Sequence, residues 1–228
     1  MEKNRVREDV WPQDIGRARE LQIFLASKVK IVPLKKLPNF IAAVDAAFLG
    51  NIVIAVASLY KYPEVVHLED ALFKGKTRFS YIPGLLAFRE GPAAISAIKQ
   101  LKTQPDLILV DGQGIAHPRG IGLASHIGVV LQKPAIGCAK SRLFGEFEEP
   151  AREKGRWTYL YPTGCPLKPI GAVVRTRRSV RPLFVSPGHL IDIESSVDIV
   201  MQCTTVYRVP DPLRRADMLS RKEIREGR

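Results

Sequence analysis

Phe40-Ile41-Ala42-Ala43-Val44-Asp45-Ala46-Ala47-Phe48-Leu49-Gly50-Asn51-Ile52-Val53-Ile54-Ala55-Val56-Ala57-Ser58-Leu59-Tyr60 is the stretch on which the reading of the chain turns. Phe40 to Phe48 is apolar apart from Asp45, Leu49-Gly50-Asn51 supplies turn chemistry, and Ile52 to Tyr60 is apolar again, which predicts the two strands of a hairpin. Lys61 to Glu64 predicts a second turn and Val65 to Phe73 a third strand. The chain therefore opens its sheet with a three-stranded antiparallel meander. A carboxylate inside a buried strand is costly to desolvate and needs a partner. Asp45 is the first candidate functional residue.

Outward from the meander the period changes. Leu85, Leu86 and Phe88, followed beyond Gly91-Pro92 by Ala93, Ala94, Ile95, Ala97, Ile98 and Leu101, recur at helical spacing, with Pro92 suited to a first turn or a kink. Asp106 to Val110 predicts a short buried strand that ends at Asp111-Gly112, Gly120 to Leu131 a helix, and Pro134 to Ala139 another short strand. Later strands are expected at Trp157 to Tyr161, Ile170 to Arg175 and Leu183 to Val185, and a helix through Ser195 to Cys203 that begins as early as His189. Upstream, Ile15, Ala18, Leu21, Ile23, Phe24 and Ala26 predict one amphipathic helix between Pro12 and Val32. A meander followed by helices alternating with buried strands predicts an α/β fold with a mixed sheet. Residues 146–156 and the tail from Pro210 are dense in charge and read as the least ordered parts. The simplest organisation is one domain over residues 1–228 with a basic C-terminal extension from about 210.

Composition narrows the class. The 228 residues are 46% hydrophobic, which excludes a disordered tail. No apolar run approaches the roughly 18–20 residues of a membrane helix, and Met1 to Glu20 carries no apolar leader segment. Three cysteines, Cys138, Cys165 and Cys203, with none in a C-x-x-C pair, speak for a reducing compartment and against a thiolate zinc site. A cytoplasmic location is expected. Thirty-five Lys and Arg against 23 Asp and Glu give a net charge of +12, which points to a polyanionic partner.

The acids are out of place in such a chain. Asp45 interrupts one apolar strand, Asp111 closes another, and Glu90 follows Phe88-Arg89 as the natural third member. A lone acid is more often a cap or a salt-bridge partner, but two strands of one sheet that each deliver an aspartate bring them within a few ångström. Hard oxygen ligands without a nearby His or Cys suit Mg²⁺ or Mn²⁺. Like charges raise one another's pKa unless a cation neutralises them, so a divalent metal working on a phosphate backbone accounts for both the acids and the basic surface. Gly112-Gln113-Gly114 lacks the third glycine of a dinucleotide loop, which excludes that site.

Four strings carry a family likeness: Phe79-Ser80-Tyr81-Ile82-Pro83-Gly84-Leu85-Leu86-Ala87-Phe88-Arg89-Glu90-Gly91-Pro92; Asp111-Gly112-Gln113-Gly114 with His117-Pro118-Arg119; Gly137-Cys138-Ala139-Lys140-Ser141; and Val185-Ser186-Pro187-Gly188-His189. In this order, from about Phe40 to Asp217, they resemble the endonuclease V family of deoxyinosine-directed nucleases. Several long strings in sequence are far more specific than one motif. The resemblance implies an RNase H-like fold, Mg²⁺ held by Asp45 and Asp111 with Glu90 completing the acidic centre, and Mn²⁺ as a substitute. It also implies hydrolysis of the second phosphodiester 3′ to a deaminated base, leaving 3′-hydroxyl and 5′-phosphate ends.

On the same grounds Tyr81-Ile82-Pro83 matches the family's wedge, entering the duplex while the target nucleotide turns out into a pocket. Ser80 stands where the family usually has proline. Gly84, Gly112, Gly114, Gly120 and Gly122 open backbone to the base, Lys140 matches an active-site lysine, and His117 is a candidate contact to the lesion strand. A C-terminal histidine of some members is replaced by Asp217, either a fourth carboxylate near the metal or a helix-start residue. Arg175, Arg177, Arg178 and Arg181 are candidate phosphate contacts or a solvated face. The expected partner is DNA containing deaminated bases, bound by a monomer. The alternatives are an inosine-RNA-directed or structure-selective nuclease of the same fold, and a lesion-binding protein without catalysis.

Overall fold

The computed structural model describes residues 11–165 and 167–226. The part of the leader reading that falls on residues 1–10 lies outside them. Strands β1 (Phe40–Leu49) and β2 (Ile52–Lys61) form the expected hairpin, paired from Leu49↔Ile52 to Phe40↔Lys61. Gly50 takes φ +59°, the conformation a glycine-first two-residue turn needs and other residues resist. β3 (Val66–Lys76) pairs antiparallel with β2 and completes the meander.

The chain then leaves the sheet for α2 (Leu86–Gln100), a single helix that carries Pro92 inside it. β4 (Leu107–Asp111) returns parallel to β1, and α3 (Leu123–Leu131) leads to β5 (Ala135–Ala139), parallel to β4. Beyond come β6 (Glu146–Phe147), β7 (Trp157–Tyr161), β8 (Gly171–Val174) and β9 (Leu183–His189), the last antiparallel to β5. Among the described residues the sheet has nine strands in the order β3-β2-β1-β4-β5-β9-β8-β7-β6. An antiparallel meander that feeds two parallel crossovers is the RNase H-like arrangement that the resemblance implies.

Two helical layers bury the sheet. On one face Ala42, Val44, Val53, Ala55 and Leu59 pack with Ala94, Ile98 and Ile127 of α2 and α3. On the other, Ile41, Ala43, Leu109 and Val185 pack with Val197 and Val200 of α4 (Ile193–Gln202) and Leu213 of α5 (Asp211–Glu226). Because both faces are covered, β2 is buried from Val53 to Tyr60 and shows no polar alternation.

Several sequence readings change. His189 ends β9, and α4 starts only at Ile193. The N-terminal helix α1 covers only Ile15–Ala26; it buries Ala18, Gln22 and Leu25 and leaves Ile15, Ile23 and Phe24 exposed, so the buried stripe is rotated from the apolar one. Residues 146–156 are tied down: Arg175, 6% exposed, donates to the Pro150 and Ala151 carbonyls and pairs with Glu149. The charged tail from Pro210 is helix α5, whose Ala216 and Ile224 cover Ile54 and Val56. A narrow stripe of small and apolar residues docks it, and two of its charged residues, Arg215 and Asp217, also face the sheet side, toward Asp70 and toward Asp45 and Asp111.

Candidate active site

Strand register builds the centre. Val44 stands opposite Val110 in the parallel pair β1/β4, so the next residues, Asp45 and Asp111, emerge side by side. Asp111 stands opposite Cys138 of β5, and Lys140, two residues on, points to the same side of the sheet. Helix α5 crosses over these strand ends and brings Asp217 and Ser220. Oxygens of Asp45, Asp111 and Asp217 all lie within 4.8 Å of one another.

Cations and one hydroxyl hold the carboxylates. Lys140 Nζ lies 2.5 Å from Asp111 Oδ2 and 3.4 Å from Asp217 Oδ1; Arg221 Nη2 lies 2.9 Å from Asp217 Oδ1. Ser220 Oγ donates to Asp45 Oδ2 at 2.9 Å. Arg208 Nη2 donates to the Lys140 carbonyl at 2.6 Å and to the Pro182 carbonyl at 2.7 Å, fixing the backbone from which the lysine springs. Burial, then the Asp111 carboxylate and more weakly Asp217, pushes the Asp45 carboxyl from 3.8 up to about 7, against the Ser220 hydrogen bond and the Lys140 ammonium. Burial works against the Lys140 ammonium too, but the Asp111 carboxylate outweighs it and raises the lysine.

Glu90 comes from α2, on the opposite layer. It is outside the close oxygen cluster, yet it senses it: burial, then Asp45, then Asp111, push its carboxyl from 4.5 up to about 8. Two half-buried acids that hold protons near neutrality mark a site with negative charge to spare. Three carboxylate oxygens in reach of one centre, all hard donors, fit a divalent cation and offer no soft ligand.

A cavity of about 380 Å³ opens beside the carboxylates, lined by Tyr81–Gly84 on one side, Asp111–Gln113 and Leu123 within, and Ala139–Leu143 on the other. That volume is in the range of small-molecule pockets and admits a nucleobase. At its rim Tyr81 is 67% exposed and Leu143 48%, whereas Ile82 packs inward with Ala18, Leu85 and Phe88. Gly114 is required by crowding: a Cβ there would meet the Pro187 carbonyl oxygen at 2.0 Å. His117 is 4% exposed and both ring nitrogens are used within the chain, Nδ1 accepting from the Arg119 N–H at 3.1 Å and Nε2 facing the Gly84 carbonyl at 3.1 Å. Burial, then the Arg119 guanidinium, lowers its pKa to about 4, so the ring is neutral.

The structure thus brings Asp45, Asp111, Lys140 and Asp217 together, sets Glu90 behind them, and places Tyr81, Ile82, Pro83, Gly84, Gly112 and His117 around the adjoining cavity. Sequence reasoning missed Ser220, Arg208, Arg221 and Gln22. Ser220 and Arg221 stand three and four residues after Asp217, which signals a shared helix face once a helix is recognised there. Gln22 and Arg208 carry no local signal.

An RNase H-like sheet whose adjacent strand ends present a carboxylate cluster, balanced by lysine on a basic chain, defines a nuclease with an acidic centre of the kind that holds a divalent cation. Residues 24–218 match the endonuclease V family model. The chain belongs to the endonuclease V family. The endonuclease V of Geotalea uraniireducens is 47% identical over 204 residues, 90% of this chain and 86% of that one. Among solved structures, the Streptomyces avermitilis endonuclease V superposes with a TM-score of 0.89 at 35% identity, covering 95% of this chain and 96% of that one. The Ciona intestinalis endonuclease V, in complex with a 24mer DNA containing an inosine followed by a ribo-adenosine, superposes with a TM-score of 0.80 at 25% identity, covering 94% and 99%.

Proposed function

We propose that this endonuclease recognises deaminated bases in DNA, chiefly inosine, and hydrolyses the second phosphodiester 3′ to the lesion, leaving 3′-hydroxyl and 5′-phosphate ends. One observation carries the reading: Asp111 belongs both to the cluster it forms with Asp45 and Asp217 and to the wall of a base-sized cavity with an exposed tyrosine at its rim. The relative crystallised with inosine-containing DNA has the same fold.

Asp45, Asp111 and Asp217 would hold Mg²⁺, with Mn²⁺ as a substitute, and Glu90 would complete the acidic centre as a proton-holding group. The chemistry supplied by a bound divalent cation is polarisation of the phosphodiester and activation of water. The chain's own residues do the rest. Lys140, released from Asp111, is placed to neutralise the scissile phosphate. Tyr81, exposed on a loop whose Ile82 is anchored in the core, replaces stacking lost when the target nucleotide turns out, and Pro83 stiffens the tip. Gly84 and Gly112 leave backbone open to the base in the cavity, and Leu123 and Leu143 offer apolar surface to its ring. His117, neutral and tied to Gly84, acts on DNA through the loop it holds.

The chain is proposed to act as one domain, as a monomer, in the cytoplasm. Cys138 and Cys203 are buried free thiols, and among the described residues no helix is long and apolar enough to cross a membrane. The test is incubation with Mg²⁺ and an inosine-containing duplex, mapping both product ends. A nick one bond beyond the lesion's own 3′ phosphodiester is expected; no nick under conditions where an authentic family member cuts would overturn the reading. Faster cutting of inosine RNA in the same assay would reassign the substrate.

A further inference from the structure

Three polar side chains converge on one backbone oxygen at the base of the Tyr81–Gly84 loop. Gln22 Nε2, from α1, donates to the Gly84 carbonyl at 2.9 Å and Arg119 Nη2 donates at 2.7 Å. His117 Nε2 stands 3.1 Å from the same oxygen, and because its Nδ1 accepts from the Arg119 N–H, the ring proton sits on Nε2 and the histidine donates as well. The donors are linked to each other: Gln22 Oε1 accepts from Arg119 Nε at 2.6 Å. Gln22 is 1% and His117 4% exposed.

A carbonyl oxygen offers two lone pairs, so three donors exceed what satisfying it requires. The surroundings show what the excess does. Gly84 takes φ +78°, a conformation that other residues resist, and a Cβ there would stand 2.8 Å from Arg119 Nη2, so any side chain would push the guanidinium off the carbonyl. The Leu85 N–H donates to the Ile82 carbonyl at 2.9 Å, closing a turn that holds the pinned Gly84 inside it and that the exposed Tyr81 immediately precedes. His117 and Arg119 belong to the loop that begins at Asp111. The knot therefore ties the exposed tyrosine to the segment that leads directly out of the carboxylate cluster, with α1 as the third anchor.

We propose that Gln22 and Arg119 are positioning residues: by fixing Gly84 against the loop that follows Asp111, they hold the Tyr81 wedge at a set distance from the acidic centre. They thereby set lesion selectivity and the phosphodiester that is cut. The inference rests on Tyr81–Gly84 being the lesion-probing loop. Cutting at a constant offset from the damage needs a rigid spacer, since about 1 Å of misplacement costs up to roughly a hundredfold in rate.

The test compares the unaltered protein with Gln22→Leu, of similar volume without polar atoms, and with Arg119→Ala in case the first fails to fold. Both are assayed on inosine-containing and undamaged duplexes with Mg²⁺, with product ends mapped. The expected result for a folded variant is a kcat/KM on the inosine duplex lower by about tenfold to a hundredfold, a reduced inosine-to-undamaged ratio, and product ends spread to neighbouring bonds. Calorimetric Mn²⁺ affinity and binding to undamaged duplex should be unchanged. Unchanged selectivity with a single product end, or equal loss on both duplexes, would overturn the proposal. If the unaltered protein itself leaves the inosine duplex intact, the functional reading fails first, and the variants are not what decided it.

Discussion

At the scale of the residue, Asp45 concentrates the tension of the site. Its carboxyl is raised to about 7 from 3.8 and that of Glu90 to about 8 from 4.5, both by burial first and neighbouring acids second. The sign of the linkage follows. Between the ordinary and the raised pKa the folded chain keeps a proton that the unfolded chain has released, so stability falls as pH rises through that window and levels off above it. Thermal melts without metal should therefore show a Tm declining from about pH 4 to about pH 8. Saturating divalent cation should flatten the decline, because the cation takes the place of the protons. Metal affinity measured by calorimetry should rise over the same window, with protons released on binding. Asp45→Asn removes the charge that the fold resists; it should abolish cleavage yet raise the metal-free Tm by about 2–4 °C for each kcal/mol of relief. A variant that melts lower would show that the carboxylate is stabilising as it stands. Tyr81 lies at the other extreme: exposed and unconstrained by the core, it should tolerate Tyr81→Ala with no loss of Tm while inosine cleavage loses the ~1–3 kcal/mol of one stacked base. Equal loss on damaged and undamaged duplex would remove it from lesion reading.

At the scale of the element, α5 decides whether the centre is complete. It supplies Asp217 to the cluster and Ser220 to Asp45, and it is docked by Leu213, Ala216 and Ile224 and by Arg215, whose guanidinium forks onto Asp70 of β3 with contacts of 2.6–3.0 Å. Removing residues 211–226 should leave Ile54 and Val56 uncovered and yield a protein that neither melts cooperatively nor cuts. Leu213→Ala, at a 1% exposed site, should cost about 2–5 kcal/mol. Ser220→Ala is the finer probe. It deletes the hydrogen bond that favours ionised Asp45, so the acidic limb of the pH–rate profile should move to higher pH with little loss of Tm. An unmoved limb would disconnect Ser220 from the chemistry. This helix was the least legible part of the sequence, for a physical reason. Its docking stripe of Leu213, Ala216, Ser220 and Ile224 recurs at helical spacing but contains only two large apolar residues, so the density of charge around it reads as a solvated tail and masks the period. The meander was legible because both faces of β1 and β2 are buried and the intervening turn has a glycine in the required conformation. Asp45 and Asp111 were legible for the same reason, as charges interrupting apolar strands. Gln22 was invisible because it takes a buried position on a helix where the adjacent apolar Ile23 and Phe24 face outward.

At the scale of the whole molecule, the net charge of +12 and the acidic centre have opposite tasks, and salt separates them. Each phosphate neutralised by Lys or Arg releases condensed counterions, so the logarithm of affinity falls linearly with that of salt, with a slope of about −0.9 per phosphate contacted. Holding a duplex through the basic surface should thus give steep salt dependence even when nothing is cut. Asp111→Asn tests the separation. It removes one carboxylate from the cluster and frees Lys140 from its 2.5 Å pair, leaving every surface cation in place. Cleavage should vanish, while duplex affinity without metal is expected to be equal or greater, because one negative charge beside the bound backbone has gone. The salt slope should stay the same or steepen by about one contact, through the released lysine. Fluorescence anisotropy on an inosine duplex over a metal-free salt series, run on both proteins, measures affinity and slope, and product mapping with Mg²⁺ measures cleavage. A slope that collapses together with activity would mean that the acidic centre and its cation, and not the basic surface, carry the affinity.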